Sequence, residues 1–119
     1  MRLNCINLVS TEPERLRSFY AMVLQEPYNE IVPGRSEILV GEVKLVFTRT
    51  SVQTPVNPDS CGLEFAVEDV DAQYRRLKQA GVAAGCTEPV TYPWGWRAFG
   101  FCDPDGNHID FVQQLDGGK

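Results

Sequence analysis

The sequence predicts an α+β protein made of two tandem βαβββ modules. Three observations predict it. The same order of strand-like and helix-like segments occurs twice. An aperiodic stretch with two prolines separates the two runs. In each run the apolar pattern passes from strand alternation to helical spacing and back. At 119 residues the chain is the size of one domain, large enough to bury about two-thirds of its unfolded surface. Residues 1–50 are read as module one, 51–60 as a linker and 61–115 as module two of that single domain.

Residues 3–9 open the first module as a strand, with Ile6 and Leu8 on one face and Cys5 and Asn7 on the other. A capping box is expected next, with Thr11 as the hydroxyl N-cap, Pro13 in the first turn and Glu14 three residues on. Leu16, Phe19, Tyr20, Val23 and Leu24 then form the stripe of an amphipathic helix, which Pro27 ends. Strands follow at 28–32, 37–40 and Val43–Arg49, divided by Pro33-Gly34 and by Gly41. After the linker the order repeats. Residues 62–67 read as a strand, and 69–80 as a helix with Val70, Tyr74 and Leu77 inward and Gly81 closing it. Strands at 88–92, Trp96–Cys102 and 108–113 complete the module, with Asp103-Pro104-Asp105-Gly106 as a tight turn before the last. The repeat aligns Cys5 with Gly62, Leu16 with Tyr74, Phe19 with Leu77, and Leu45-Val46-Phe47 with Ile109-Asp110-Phe111. The second copy is the longer one, its extra residues falling around 83–94.

Charge and composition exclude several classes of partner. A net charge of −5 without a Lys/Arg cluster argues against nucleic acid; Arg75, Arg76 and Lys78 read as a solvated helix face. The N-terminal apolar run is too short for a signal peptide or a membrane span, so a cytoplasmic location is expected. Cys5, Cys61, Cys86 and Cys102 form no CxxC pair and are expected to be reduced thiols.

Three stretches, LNCINLVSTEPERLRSFYAMVL, LEFAVEDVDAQYRRLKQAG and above all PWGWRAFGFCDPDGNHIDFVQ, resemble the vicinal oxygen chelate superfamily. That superfamily includes glyoxalase I, extradiol dioxygenases, and fosfomycin- and bleomycin-resistance proteins. The resemblance implies paired modules forming curved, cup-shaped mixed sheets, usually completed in a homodimer. It also implies a divalent-metal site of a His on the first strand, a His or Gln opening the second module, and a Glu on the last strand. Carried over, these positions fall on Cys5, Gly62 and Asp110. All three depart from the pattern. Glycine donates nothing, and a thiolate with a carboxylate suits zinc better than the Mn, Fe, Ni or Mg this family uses. No metal or other cofactor is therefore expected.

The candidate ligand-binding residues are Cys5, Asn7, Glu64, Trp94, Trp96, Arg97 and Asp110. Cys5 reads most simply as a small apolar residue. Asp110, between Ile109 and Phe111, points away from the face those two bury, and Glu64 does the same between Leu63 and Phe65. In the implied cup both line the concave side. Trp94 and Trp96 flank Gly95; one indole is expected in the core and the other as an aromatic wall. Arg97 is expected to pair with an anionic ligand, Asp110 or Glu64. The lone His108 reads as a surface residue. Two carboxylates beside indoles suit an aromatic or cationic small molecule, so metal-free binding or sequestration is the leading expectation. The alternative is a metal-dependent lyase, isomerase or dioxygenase with Cys5, Glu64 and Asp110 as altered ligands. A third possibility is a cup filled by the protein's own side chains.

Overall fold

A computed structural model describes residues 1–82 and 87–115. Cys86 and part of the 83–94 insertion lie outside the described residues. The chain forms two compact units, one ending at Pro55 and the other starting at Val56.

The first unit runs β1 (Cys5–Ser10), α1 (Pro13–Leu24), β2 (Asn29–Val32), β3 (Arg35–Val40) and β4 (Val43–Arg49). Its sheet has the order β1-β4-β3-β2. The outer strand β1 is parallel to β4, while the other neighbours are antiparallel. Leu16, Tyr20 and Val23, at helical spacing, are buried together with Ile38, Leu45 and Phe47, which alternate along β3 and β4. The Tyr20 and Phe47 rings meet with centroids 5.3 Å apart.

The second unit repeats the plan with β5 (Gly62–Ala66), α2 (Val70–Gln79), β6 (Val90–Thr91), β7 (Trp96–Cys102) and β8 (His108–Gln114). The sheet order is β5-β8-β7-β6, with β5 parallel to β8. Val70, Leu77, Phe99, Phe101, Ile109 and Phe111 form its core, and Tyr74 sets its ring edge-on to Phe99 at 5.4 Å. The strand registers agree with the repeat read from the sequence: Ile6 faces Leu45 in one unit, and Leu63 faces Ile109 in the other.

Local starts and stops differ from expectation in instructive ways. Thr11 does not cap α1. Its amide and hydroxyl both donate to Gln53 Oε1, Glu12 holds the N-cap position without a side-chain capping bond, its carboxylate pairing with Arg15 instead, and Ser10 Oγ accepts from the Glu12 amide at 3.0 Å. Glu14 turns outward to Arg49 at the end of β4, so the capping box never closes. The second helix follows the rule: Asp69 Oδ1 accepts from the Ala72 amide at 3.1 Å, and Gly81 follows at φ +85°. The strand expected at 88–92 shrinks to Val90–Thr91, because Pro89 and Pro93 bracket it and supply no amide donors. The first strand begins at Cys5 rather than at residue 3, leaving Leu3 exposed.

The turn between β7 and β8 is built around a buried carboxylate. Asp103 Oδ1 accepts from the amides of Asp105 and Asn107, both at 2.9 Å, and Oδ2 accepts from Asn107 Nδ2 at 2.7 Å. Gly106 closes the turn at φ +93°. This turn fixes the register that places Gly100 opposite Asp110 and Cys102 opposite His108. Among the described residues no helix is long and apolar enough to cross a membrane.

Candidate functional site

Strand alternation divides the second sheet into two chemically distinct faces. Leu63, Phe65, Phe99, Phe101, Ile109 and Phe111 serve the face that α2 covers, where Phe65 and Phe99 set edge-to-face contacts with Phe111. The helix-free face carries Glu64 on β5, Trp96, Ala98 and Gly100 on β7, and His108, Asp110 and Val112 on β8. Two recesses open on it.

The first recess, about 340 Å³, is lined by Glu64, Tyr92, Trp94, Trp96, Asp110 and the small apolar residues Ala98 and Val112. Glu64 and Asp110 are direct register partners on the parallel strands β5 and β8, so two like charges sit on strands about 4.8 Å apart. Glu64 has no side-chain partner among the described residues. Trp94 stacks on Tyr92, with centroids 4.7 Å apart and planes 13° from parallel. Gly95, at φ +88°, permits the turn that returns the chain from Trp94 into β7; the Gly95 amide donates to Tyr92 O, and the Tyr92 amide donates to Trp96 O.

Both tryptophans line this recess, instead of one lying in the core as the sequence suggested. Trp94 is 58% exposed. Trp96 is half-buried, and its Nε1 is a buried donor without a hydrogen-bond partner, an arrangement that costs about 1–3 kcal/mol when nothing accepts from it.

The second recess, about 320 Å³, adjoins the first and shares Tyr92, Ala98 and Asp110 with it. Its polar centre is His108, whose Nε2 lies 3.1 Å from Asp110 Oδ1. Gly100 makes that pairing possible: a Cβ there would come within 2.7 Å of Asp110 Oδ1 and 3.0 Å of His108 Cε1. Thr87 also lines the recess, its Oγ1 accepting from the Gly100 amide at 3.1 Å.

The expectation that Arg97 pairs with Asp110 or Glu64 does not hold. Alternation on β7 sends its side chain to the helix-covered face, where Nε and Nη2 grip both oxygens of Asp71 at 2.9 Å and Nη1 donates to Thr91 Oγ1 at 3.0 Å. That bidentate bond holds the Asp71 carboxyl below its usual range and raises Arg97. Arg97 clamps α2 to its sheet and lines neither recess.

Cys5 and Asn7 lie in the first unit, side by side on β1, with Asn7 Nδ2 3.8 Å from Cys5 Sγ. Cys5 is half-buried. Among the lining residues that sequence reasoning missed are Tyr92, His108 and Val112. The aromatic spacing in Tyr92-Pro93-Trp94-Gly95-Trp96 was the available signal for the first of them, and the shared face of His108 and Asp110 was the signal for the second.

The donor set does not fit the metal site that the family resemblance implies. Gly62 offers no ligand atom, and one oxygen of Asp110 is engaged by His108. Among the described residues no group of three His, Cys, Asp or Glu side chains is placed to hold a metal ion.

Solved structures of similar fold include a glyoxalase/bleomycin resistance protein/dioxygenase from Nocardioides, with 25% identity and a TM-score of 0.76, covering 100% of this chain and 87% of that one. TnmS3, an antibiotic binding protein from Streptomyces sp. CB03234, is 27% identical with a TM-score of 0.75, and 96% of each chain is covered. A lactoylglutathione lyase from Agrobacterium tumefaciens shares the fold at 15% identity and a TM-score of 0.71, covering 94% of this chain and 92% of that one. No curated protein sequence matches the chain. Residues 2–111 match the family profile, and the chain belongs to the Glyoxalase/Bleomycin resistance protein/Dioxygenase superfamily.

Proposed function

We propose that the protein binds a small aromatic cation in the first recess of its second unit, holding it without a metal and without turning it over. One observation carries this reading: the exposed Tyr92–Trp94 stack stands beside two carboxylates, Glu64 and Asp110, that no Lys or Arg among the described residues pairs with. A cation brought between them relieves the repulsion of two like charges, and the ring faces attract it further through their quadrupoles. A planar ligand extends the existing stack at the same time. The cavity is of the size that holds a drug-like molecule, and the likeness to an antibiotic binding protein at 27% identity points the same way.

The test uses chelator-treated protein with ethidium, a planar aromatic cation, as probe. Calorimetry is expected to show micromolar or tighter binding, one probe per chain, with a matching rise in melting temperature. Binding that appears only after a divalent ion is restored overturns the metal-free reading. So does stoichiometric metal in protein purified without chelator.

A further inference from the structure

We infer that the two recesses act as one groove along β7, and that the ligand is an elongated aromatic cation. Its charged ring system fills the first recess, and an apolar arm runs on into the second. This rests on the aromatic-cation reading of the first recess and adds the ligand's length and the character of its far end.

The groove is built from strands of differing chemistry. Its floor is β7, where Ala98 and Gly100 follow Trp96 on the helix-free face. Its outer wall is the edge strand β6 with the turn after it. Val90 is the register partner of Ala98, and Val90, Tyr92 and Trp94 are 50%, 38% and 58% exposed. The inner wall is most acidic at one end: Glu64 lines only the first recess, while Asp110 stands where the two meet. Positive charge is therefore drawn to the first recess, while the outer wall continues past it as apolar surface left in water. Apolar side chains gathered along the rim of a recess mark a binding surface. Trp94 and Tyr92 take the ring system, and Val90 is left for an arm that extends from it.

The first unit shows what opens the groove. At the register positions of Ala98 and Gly100 it carries Arg35 and Glu37, opposite Thr48 and Val46. Two long side chains thus stand where the second unit has a methyl group and a hydrogen. From Trp96 to Gly100 the bare floor runs about 13 Å at the rise of a strand, and a single fused ring system leaves part of it uncovered.

The arm is apolar because the second recess offers it Val90, Ala98 and the edge of Tyr92. A second positive charge at that end meets no carboxylate besides Asp110, which the ring system already engages.

The experiment is calorimetry on the full chain, treated with chelator, using N-methyl-, N-hexyl- and N-decylquinolinium as probes. Wild type is compared with Val90→Gln and Val90→Thr. Val90 lines the second recess and not the first, and its exposure on an edge strand means that neither change opens a core defect. A fully buried methylene multiplies affinity about fourfold. In a groove open on one side about twofold each is expected, so the hexyl compound binds wild type about thirtyfold tighter than the methyl one. Extending hexyl to decyl adds about twofold or less in all, because the longer tail leaves the groove for water. In Val90→Gln the hexyl advantage falls below about tenfold. Val90→Thr, which keeps the branched shape and strand preference of valine, is expected to fall between the two. A hexyl advantage equal in all three proteins overturns the shared groove and leaves the aromatic-cation reading standing. So does affinity that climbs steadily through decyl, the mark of a tail adhering without a fitted site. Failure of every probe to bind wild type overturns both.

Discussion

The two units place their strands in the same registers but equip the helix-free faces of their sheets differently. Asn7 stands in the first where Glu64 stands in the second, Val46 where Asp110, Lys44 where His108, and Glu37 where Gly100. In the first unit Lys44 and Glu37 neutralise each other at 3.5 Å. In the second the corresponding positions hold a histidine and a bare glycine, and among the described residues neither Glu64 nor Asp110 pairs with a Lys or Arg. The helix-covered faces, by contrast, match closely: Leu45 and Ile109, Phe47 and Phe111, Ile38 and Phe101 are all buried and apolar. Packing against a helix constrains residue type, because a cavity or a buried charge there costs several kcal/mol. The other face is not packed against its own unit's helix, and there the two copies diverge, Val46 being buried where Asp110 is not.

The sharpest way to break the comparison is at the turns. Asp103 gives the β7–β8 hairpin three side-chain hydrogen bonds from a nearly buried position, whereas the matching turn of the first unit relies on Gly41 at φ +60°. Asp103→Ala is therefore expected to lower unfolding free energy by about 2–3 kcal/mol, read from urea denaturation. Glu42→Ala, in the first unit's turn, is expected to change it by less than about 0.5 kcal/mol. Equal losses at both turns would show that the second hairpin does not depend on its buried aspartate.

A middle-sized effect tests the asymmetry of charge. Glu64→Gln removes half of the negative pair and is expected to weaken ethidium binding about tenfold, or about 1.4 kcal/mol. Glu37→Gln, in the first unit, is expected to leave binding unchanged. If calorimetry gives the two variants the same affinity, the binding chemistry is not confined to the second sheet.

The smallest effect concerns a device both units share, a surface arginine holding an acid on the first turn of a helix. Asp71 is held low by its hydrogen bonds to Arg97. Glu14 is held low first by a backbone hydrogen bond and then by Arg49. A depressed acid contributes in full above its ordinary pKa, 3.8 for Asp71 and 4.5 for Glu14. The contribution is lost as pH falls through the lower native value. Melting temperature measured from pH 5 downward is expected to fall less steeply in Arg97→Leu than in wild type; an unchanged slope would show that the clamp does not bear on stability.

Much of this was legible in the residues. Alternation and helical spacing located the helices and strands of the described residues, because the core faces are largely apolar. Alternation also placed Glu64 and Asp110 on the helix-free side, and the repeat aligned their strands. What could not be read depended on partners far away in sequence. Arg97 finds Asp71 only once the phase of α2 on the sheet is set. Thr11 does not cap α1 because its amide and hydroxyl are engaged by Gln53, a residue of the linker region. The bond from His108 to Asp110 needs only shared strand polarity, yet it forms because Gly100, on another strand, leaves the space. Proline shortened β6 through a missing donor, a cause visible in the sequence but easily outweighed there by Val90, Thr91 and Tyr92.

The chain holds two tryptophans, and both line the first recess. Selective indole excitation therefore makes the second unit luminous and leaves the first, whose aromatic residues are phenylalanines and tyrosines, dark. Emission from the native protein reports on the recess itself: Trp94 stands in water beside its tyrosine, and Trp96 in a partly closed, apolar setting. Any molecule that settles there must alter the light without a label being attached. Unfolding followed by fluorescence likewise follows one copy of the repeat, while far-ultraviolet dichroism follows both, and the separation of the two curves measures how tightly the copies melt together.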